Sequence, residues 1–366
     1  MRTLSDDREY FKTHLAQQVR AARTSAGAGP LRILALSGGG SGGAFGAGAL
    51  YGLSQSGQRP DFQVVTGVSA GALLAPFAFL GPNWDPQLKE AFDSHRTDHL
   101  LKPRGIGFLF HPGFYLSTPL IDLVNHFCTA RMIRAVAARA DKGRLLLVAT
   151  TDVDNEETVI WNMGEIAEHG GTAARHLFCS VLVASASIPG VFPPVLIPVE
   201  GGGKSYDEMH VDGSTTLPLF IASEIMEEIP ESLPDLKGAE VYVIVNGQLD
   251  TDPKTTVQRP AAILSRSFSA AMMSASRRAL VVTADFAHSY HMQFRFTYLP
   301  TSYEYRGPLD FKFSNMRSLF NYGARCANRN RLWTTFRNVV TERRLAGAQL
   351  QTTSDACPGA ASVTVQ

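Results

Sequence analysis

The chain has 366 residues, with 34 Lys and Arg against 33 Asp and Glu and 45% hydrophobic residues, the composition of a chain with an ordinary globular core. This excludes a disordered or collagen-like protein, and the formal charge of +1 argues against nucleic acid as a partner, which needs a strongly basic field. Cys128, Cys179, Cys326 and Cys357 show no CxxC or Cys/His ligand spacing, so neither zinc nor a disulfide framework is expected and reduced thiols are the default.

Residues 1–30 read as a leader helix followed by a linker. Phe11, Leu15 and Val19 recur every four positions, and the run from Thr24 to Pro30 is small and flexible. Asp6, Asp7, Glu9 and Lys12 interrupt any secretory signal, and no segment reaches the roughly 18 apolar residues of a membrane span. The expected location is cytoplasmic or peripheral to a membrane, with export that needs no N-terminal signal left open.

From Leu31 the pattern becomes regular. Leu31 to Leu36 reads as a buried strand, the glycine run follows, and Ala44 to Leu53 reads as a closely packed helix. Phe62 to Thr66 repeats the strand and Ala72 to Leu80 the helix. Thr118 to Ala140 reads as one amphipathic helix, Arg144 to Thr151 and Thr158 to Met163 as strands, and Thr172 to Ser185 as a helix. Lys204 to Val211 and Val241 to Asn246 are further strands. Long helices are expected over Gln258 to Tyr290 and Asn315 to Leu345, around a strand from Phe294 to Leu299. This alternation predicts an α/β fold, a three-layer α/β/α sandwich with a mostly parallel central sheet. The catalytic domain is expected over 31–346, with a flexible tail over 347–366.

Three motifs carry chemistry. Gly38, Gly39, Gly40, Ser41, Gly42 and Gly43 lie between a strand and a helix, where residues without Cβ atoms let successive N–H groups converge on an anion. The same spacing cradles dinucleotides, but Asp61, the acid nearest the ribose-binding spacing, precedes the second strand instead of ending it. Gly67-Val68-Ser69-Ala70-Gly71 has the GxSxG spacing of a nucleophile elbow, although a serine at that point also caps a helix. Asp212-Gly213 ends a strand 143 residues after Ser69, where a carboxylate on a tight turn can take the serine proton. The alternative is a turn aspartate. A Ser-His-Asp triad stays open through His176, His210, His288 and His291. His210 is the nearest rival, but because it shares a strand face with Asp212 it also reads as a packing residue behind the site.

In this order the three motifs resemble the patatin-like phospholipase family. Ser69 follows Gly40 by 29 residues, one strand-helix unit, and the runs Gly43 to Gly48 and Ala184 to Pro194 are also similar to bacterial members. The resemblance spans about Leu31 to Asn246. It implies a modified α/β-hydrolase fold and hydrolysis of lipid acyl esters through a Ser-Asp dyad. Ser69 would be the nucleophile, Asp212 the base, and the N–H groups of Gly39, Gly40 and Ser41 the oxyanion hole. Gly38 and Gly43 would shape that loop, and Gly67 and Gly71 the elbow. No metal or cofactor is implied. The implied partner is a phospholipid or other acyl lipid, with peripheral membrane contact and an open oligomeric state. Three residues depart from the family pattern: Ser37 replaces a frequent aspartate, Gly42 a common arginine, and Ser214 a glycine or alanine. A soluble-ester hydrolase or acyltransferase with the same residues, and a non-catalytic nucleotide- or anion-binding module, are the rival readings.

Two surfaces are candidates for membrane contact. Arg96 to Tyr115 mixes Arg96, Lys102 and Arg104 with Leu100, Phe108, Leu109, Phe110, Phe114 and Tyr115, the composition of an interfacial lid and equally of a loop folded over the core. Lys312 to Arg344 carries eight basic residues against Glu342, which suits an anionic surface or a solvated helix face.

Overall fold

The computed structural model describes residues 8–104, 112–201, 204–221, 236–250, 255–335 and 356–359. In its central sheet, β1 (Arg32–Leu36) pairs in parallel with β2 (Val64–Val68), and β2 with β3 (Leu145–Asp152). On the other side β1 pairs in parallel with β7 (Glu240–Gln248), and β7 with β8 (Gln293–Leu299). Three antiparallel pairings complete it: β3 with β4 (Glu157–Asn162), β3 with β6 (Lys204–Asp212), and β6 with β5 (Val195–Gly201). The strand order is β5-β6-β3-β2-β1-β7-β8, with β4 also on β3.

Period-two alternation sends each strand's side chains into two separate cores. Leu34 and Leu36 of β1, Leu146 and Val148 of β3, and Tyr242 and Ile244 of β7 face one core. It is covered by helices α2 (Gly43–Gln55), α3 (Ala70–Leu80), α4 (Asp85–Phe92), α5 (Thr118–Phe127), α6 (Ala130–Ala140), α7 (Met163–His169) and α8 (Gly171–Ser185). Ile33, Ala35, Leu145, Leu147, Val241 and Val243 face the other. Ala16, Val19 and Ala22 of α1 (Arg8–Ser25) pack there, with Leu219 to Ile221 and α9 (Pro260–Ser289). A last helix, α10 (Phe313–Asn328), lies along α2, where Gly48 and Gly52 let the backbones meet: a Cβ on Gly48 would lie 1.9 Å from the Phe320 carbonyl. Two helical layers around a sheet give the expected three-layer architecture.

The departures from expectation have local causes. The expected helix from Thr118 to Ala140 is two, because Cys128 leaves helical geometry and the Thr129 side chain caps a new start by accepting the Met132 N–H at 3.2 Å. β5, α4 and α7 were not expected; β5 follows the Pro193-Pro194 break directly. The expected helix from Asn315 to Leu345 ends at Asn328, and 336–345 lie outside the described residues.

The cysteines correct the expectation of reduced thiols. Cys128 is bonded to Cys179, and Cys326 to Cys357. The first bridge forms because the end of α5 packs on α8, a tertiary contact with no signature in the 51-residue separation. The second fixes 356–359 of the expected tail against α10, where Tyr322 Oη donates to the Ala356 carbonyl at 2.7 Å. Among the described residues no helix is long and apolar enough to cross a membrane.

Candidate active site

The glycine loop leaves β1 and the elbow leaves β2, so both open at the carboxyl rim of two adjacent parallel strands. Asp212 reaches the same rim from the opposite direction. The last residues of β3 pair antiparallel with β6, Thr150 opposite Asp212. Three distant stretches of sequence thereby meet in one crevice.

Ser69 sits at φ 55° and ψ −124°, a backbone region that few residues with a side chain adopt. The turn persists because its surroundings hold it. The Ser69 N–H donates to Ser185 Oγ at 2.9 Å, Ser185 Oγ donates to the Ala149 carbonyl at 2.7 Å, and the Ser69 carbonyl caps the first turn of α3. The turn also needs its small neighbours: a Cβ on Gly71 would lie 2.2 Å from the Leu36 carbonyl, and one on Gly67 would lie 2.5 Å from the Gly71 carbonyl.

The Ser69 hydroxyl lies 2.5 Å from Asp212 Oδ2, and both residues are buried. The Ser214 N–H donates to Asp212 Oδ1 at 2.8 Å, while the Asp212 N–H donates to the Ser187 carbonyl at 2.9 Å. Burial pushes the Asp212 carboxyl up to about 6, an effect only partly offset by the Ser69 and Ser214 hydrogen bonds. Ser214, where glycine or alanine is usual, takes an ordinary φ and sits in a single 3-10 turn, so the serine costs no strain there.

In the glycine loop the N–H groups have different fates. Gly38 donates to the Pro218 carbonyl at 3.0 Å, and Ser41 donates to the Pro308 carbonyl at 2.8 Å. Gly43 begins α2 and donates back into the loop. Among the described residues the N–H groups of Gly39 and Gly40 meet no protein acceptor. Gly39 has φ 159° and Gly40 φ 56°, and a Cβ on Gly39 would lie 1.8 Å from the Asn246 carbonyl. The expected three-donor hole thus differs at Ser41, whose amide is held by the 300–310 segment. The sequence reading missed Asn246, at the end of β7. Its Nδ2 donates to the Ser37 carbonyl at 2.7 Å and its N–H to Ser37 Oγ at 2.8 Å, so a short hydroxyl at position 37 ties the loop to the strand.

The histidines do not join the pair. His210 is fully buried, with its ring nitrogens near Thr150 Oγ1 at 3.0 Å and Glu208 at 3.3 Å, and His176, His288 and His291 are exposed. Asp61 is bound by Arg139 and Arg144 at the far end of β2, and those guanidinium groups hold its carboxyl down at about 2. It is a structural ion pair, remote from the glycines. No group of three His, Cys, Asp or Glu among the described residues is placed to hold a metal ion.

Two cavities meet at Ser69 and Gly40. One is a narrow apolar cleft of about 70 Å³ between α3, α4 and α5, walled by Leu73, Phe77, Leu120, Val124, Phe127 and Phe192. The other, more polar than the cleft, is a chamber of about 550 Å³ on the β7 side, lined by Gly39, Asp212, Asn246 and residues 301–308.

The family model described as patatin-like phospholipase matches residues 34–223, just over half of the chain. The chain belongs to the patatin-like phospholipase family. Its motif residues from Gly38 to Asp212 all fall inside the matched span, whereas Asn246 and the 300–310 segment, which complete the crevice, lie beyond it. Among solved structures the chain is similar to VipD from Legionella pneumophila, with 13% identity, a TM-score of 0.39, and 84% of this chain and 68% of that chain covered. No curated protein matches.

Of the candidate membrane surfaces, the described part of Arg96 to Tyr115 folds onto the core. Leu100 is buried against the apolar cleft, Pro103 bridges Tyr115, and Phe114 is exposed; Phe108, Leu109 and Phe110 lie outside the described residues. In the basic run, Arg317 stacks on Phe313 and Arg325 on Tyr322, while Arg337, Glu342, Arg343 and Arg344 lie outside the described residues.

Proposed function

We propose that the protein hydrolyses carboxylic esters of acyl lipids through Ser69 and Asp212. The observation that carries this is the 2.5 Å contact between Ser69 Oγ and Asp212 Oδ2, at the junction of an apolar cleft and a polar chamber. The apolar lining of the cleft suits an acyl chain, and the ester carbonyl then lies at the junction.

Ser69 Oγ attacks the carbonyl carbon while Asp212 takes the hydroxyl proton. The oxyanion accepts hydrogen bonds from the Gly39 and Gly40 N–H groups, each worth about 3 kcal/mol at the transition state. Collapse breaks the ester bond, and the departing alcohol leaves with the proton from Asp212. Water then attacks the acyl-enzyme, giving its proton to Asp212, which returns it to Ser69 as the fatty acid is released. A carboxyl at about 6 is ionised at neutral pH yet a better proton acceptor than an exposed aspartate. Ser41, with its amide held by Pro308, serves to position the loop.

All four cysteines are paired, and such bonds persist in oxidising compartments, which supports work outside a reducing cytoplasm. Incubating wild type, Ser69→Ala and Asp212→Asn with a mixed lipid extract, followed by mass spectrometry of fatty acids and lysolipids, tests the reading. Products from wild type alone support it; equal product from Ser69→Ala removes it.

A further inference from the structure

The polar chamber contains a feature that the dyad does not require. The 300–310 segment folds back over the glycine loop and is fixed there by three hydrogen bonds. The Ser41 N–H reaches the Pro308 carbonyl at 2.8 Å, Ser41 Oγ the Gly307 carbonyl at 2.9 Å, and Tyr305 Oη the Gly39 carbonyl at 3.2 Å. Arg306 lies inside this fixed stretch and lines the chamber, as does Arg266 from the N-terminal half of α9. Both side chains are exposed, and among the described residues neither has a hydrogen bond or ion pair.

The glycine loop cannot supply a cation of its own at position 42. A Cβ there would lie 2.0 Å from the Asn246 carbonyl and 3.2 Å from Tyr305 Oη, so Tyr305 and the end of β7 occupy the space that a side chain would need. Positive charge near the dyad comes instead from the next residue of the segment that fills the space. Apart from Asp212, Glu304 is the acid in the lining. The two arginines supply forked guanidinium donors that match the oxygens of a phosphodiester.

We propose that Arg306 and Arg266, both outside the family-matched span, form the phosphate-binding site of the leaving-group chamber and set the preference for a phosphate-bearing lipid over a neutral one. This rests on the reading of Ser69 and Asp212 as the reacting pair. The acyl chain enters the apolar cleft, the ester carbonyl meets Gly39 and Gly40, and the glycerophosphate half of the substrate lies toward α9 and the 300–310 segment.

The test compares kcat/KM on dihexanoyl phosphatidylcholine with that on dihexanoylglycerol, both below their micellar concentrations, for wild type and Arg266→Ala/Arg306→Ala. The ratio of the two values is expected to fall at least tenfold in the variant, and an unchanged ratio overturns the proposal. Because both arginines are exposed and have no hydrogen bond or ion pair among the described residues, thermal unfolding of the variant should match wild type, which separates lost recognition from lost folding. Binding of dihexanoyl phosphatidylcholine in a Ser69→Ala background is measured with and without the arginine substitutions, and its Kd is expected to rise about tenfold when both arginines are replaced. If Ser69-dependent turnover is absent while this affinity loss remains, the hydrolase reading falls and the phosphate site stands. If inorganic phosphate loses its competition in the arginine variant while phospholipid selectivity is kept, the chamber takes free phosphate and the lipid proposal is overturned.

Discussion

The Ser69 N–H and Ser185 Oγ are hydrogen-bonded at 2.9 Å, and through this bond the end of α8 holds the elbow in its positive-φ turn. Ser185→Ala leaves that buried N–H unpaired, at a cost of about 1 to 3 kcal/mol. The expected result is a lower Tm together with a fall in kcat larger than any rise in KM, because the hydroxyl of Ser69 loses its aim while the acyl cleft is untouched. A variant with wild-type kcat would show that the elbow holds its own geometry.

Asp212 makes the activity depend on pH in a defined direction. With its carboxyl at about 6, the proposed base is ionised only above that value. On a soluble ester, kcat/KM should rise with pH, reach half its plateau near pH 6, and lose this inflection in Asp212→Asn.

The same group affects stability with the opposite sense. Its folded value lies above the unfolded one of 3.8, so its contribution is fully present below pH 4 and is lost as pH rises through 6, in total about 3 kcal/mol for a shift of about two units. Asp212→Asn should therefore gain on wild type in thermal unfolding as pH rises from 4 to 8. A variant-minus-wild-type difference in Tm that stays constant or falls over that range contradicts the burial of an ionised carboxylate.

A side chain at Gly38 would crowd the reacting pair. A Cβ there would lie 2.1 Å from Ser214 Oγ and 3.2 Å from Ser69 Cβ, so Gly38→Ala pushes directly on both halves of the site. Overpacking of this kind costs about 1 to 3 kcal/mol, and turnover is expected to fall at least a hundredfold. Circular dichroism and ester hydrolysis on the same preparation check both effects.

Thiol titration tests the pairing of the cysteines. Protein unfolded without reductant should show no free thiol, and after reduction it should show four. Reduction should also lower Tm, since closing a loop as long as the 51-residue separation of Cys128 and Cys179 contributes about 2 to 4 kcal/mol.

Much of this architecture was legible because it is local. Short continuous apolar runs bounded by turn residues gave β1, β2, β3 and β7, and the glycine loop and elbow announced themselves by lying between a strand and a helix. Asp212 was legible as a strand-end carboxylate, but its distance from Ser69 was not, since it depends on β6 pairing antiparallel at the end of β3. Ser185, Asn246 and the hold of Pro308 on Ser41 were illegible for the same reason: a buried hydroxyl or carbonyl acquires its role only from the element packed against it. The disulfides were misread because spacing along the chain is silent about helices that meet in space. The run Ala184 to Pro194 did carry a signal, as it contains both Ser185 and Ser187, which turned out to hold the backbones of Ser69 and Asp212.

The most direct test is covalent labelling with a fluorophosphonate, which reports an activated serine without any assumption about the lipid. The account predicts a single modified peptide containing Ser69, no labelling of Ser69→Ala, and slowed labelling of Asp212→Asn. Labelling of another serine, or of Ser69 at an undiminished rate without the Asp212 carboxylate, would contradict the pairing on which the proposed chemistry depends.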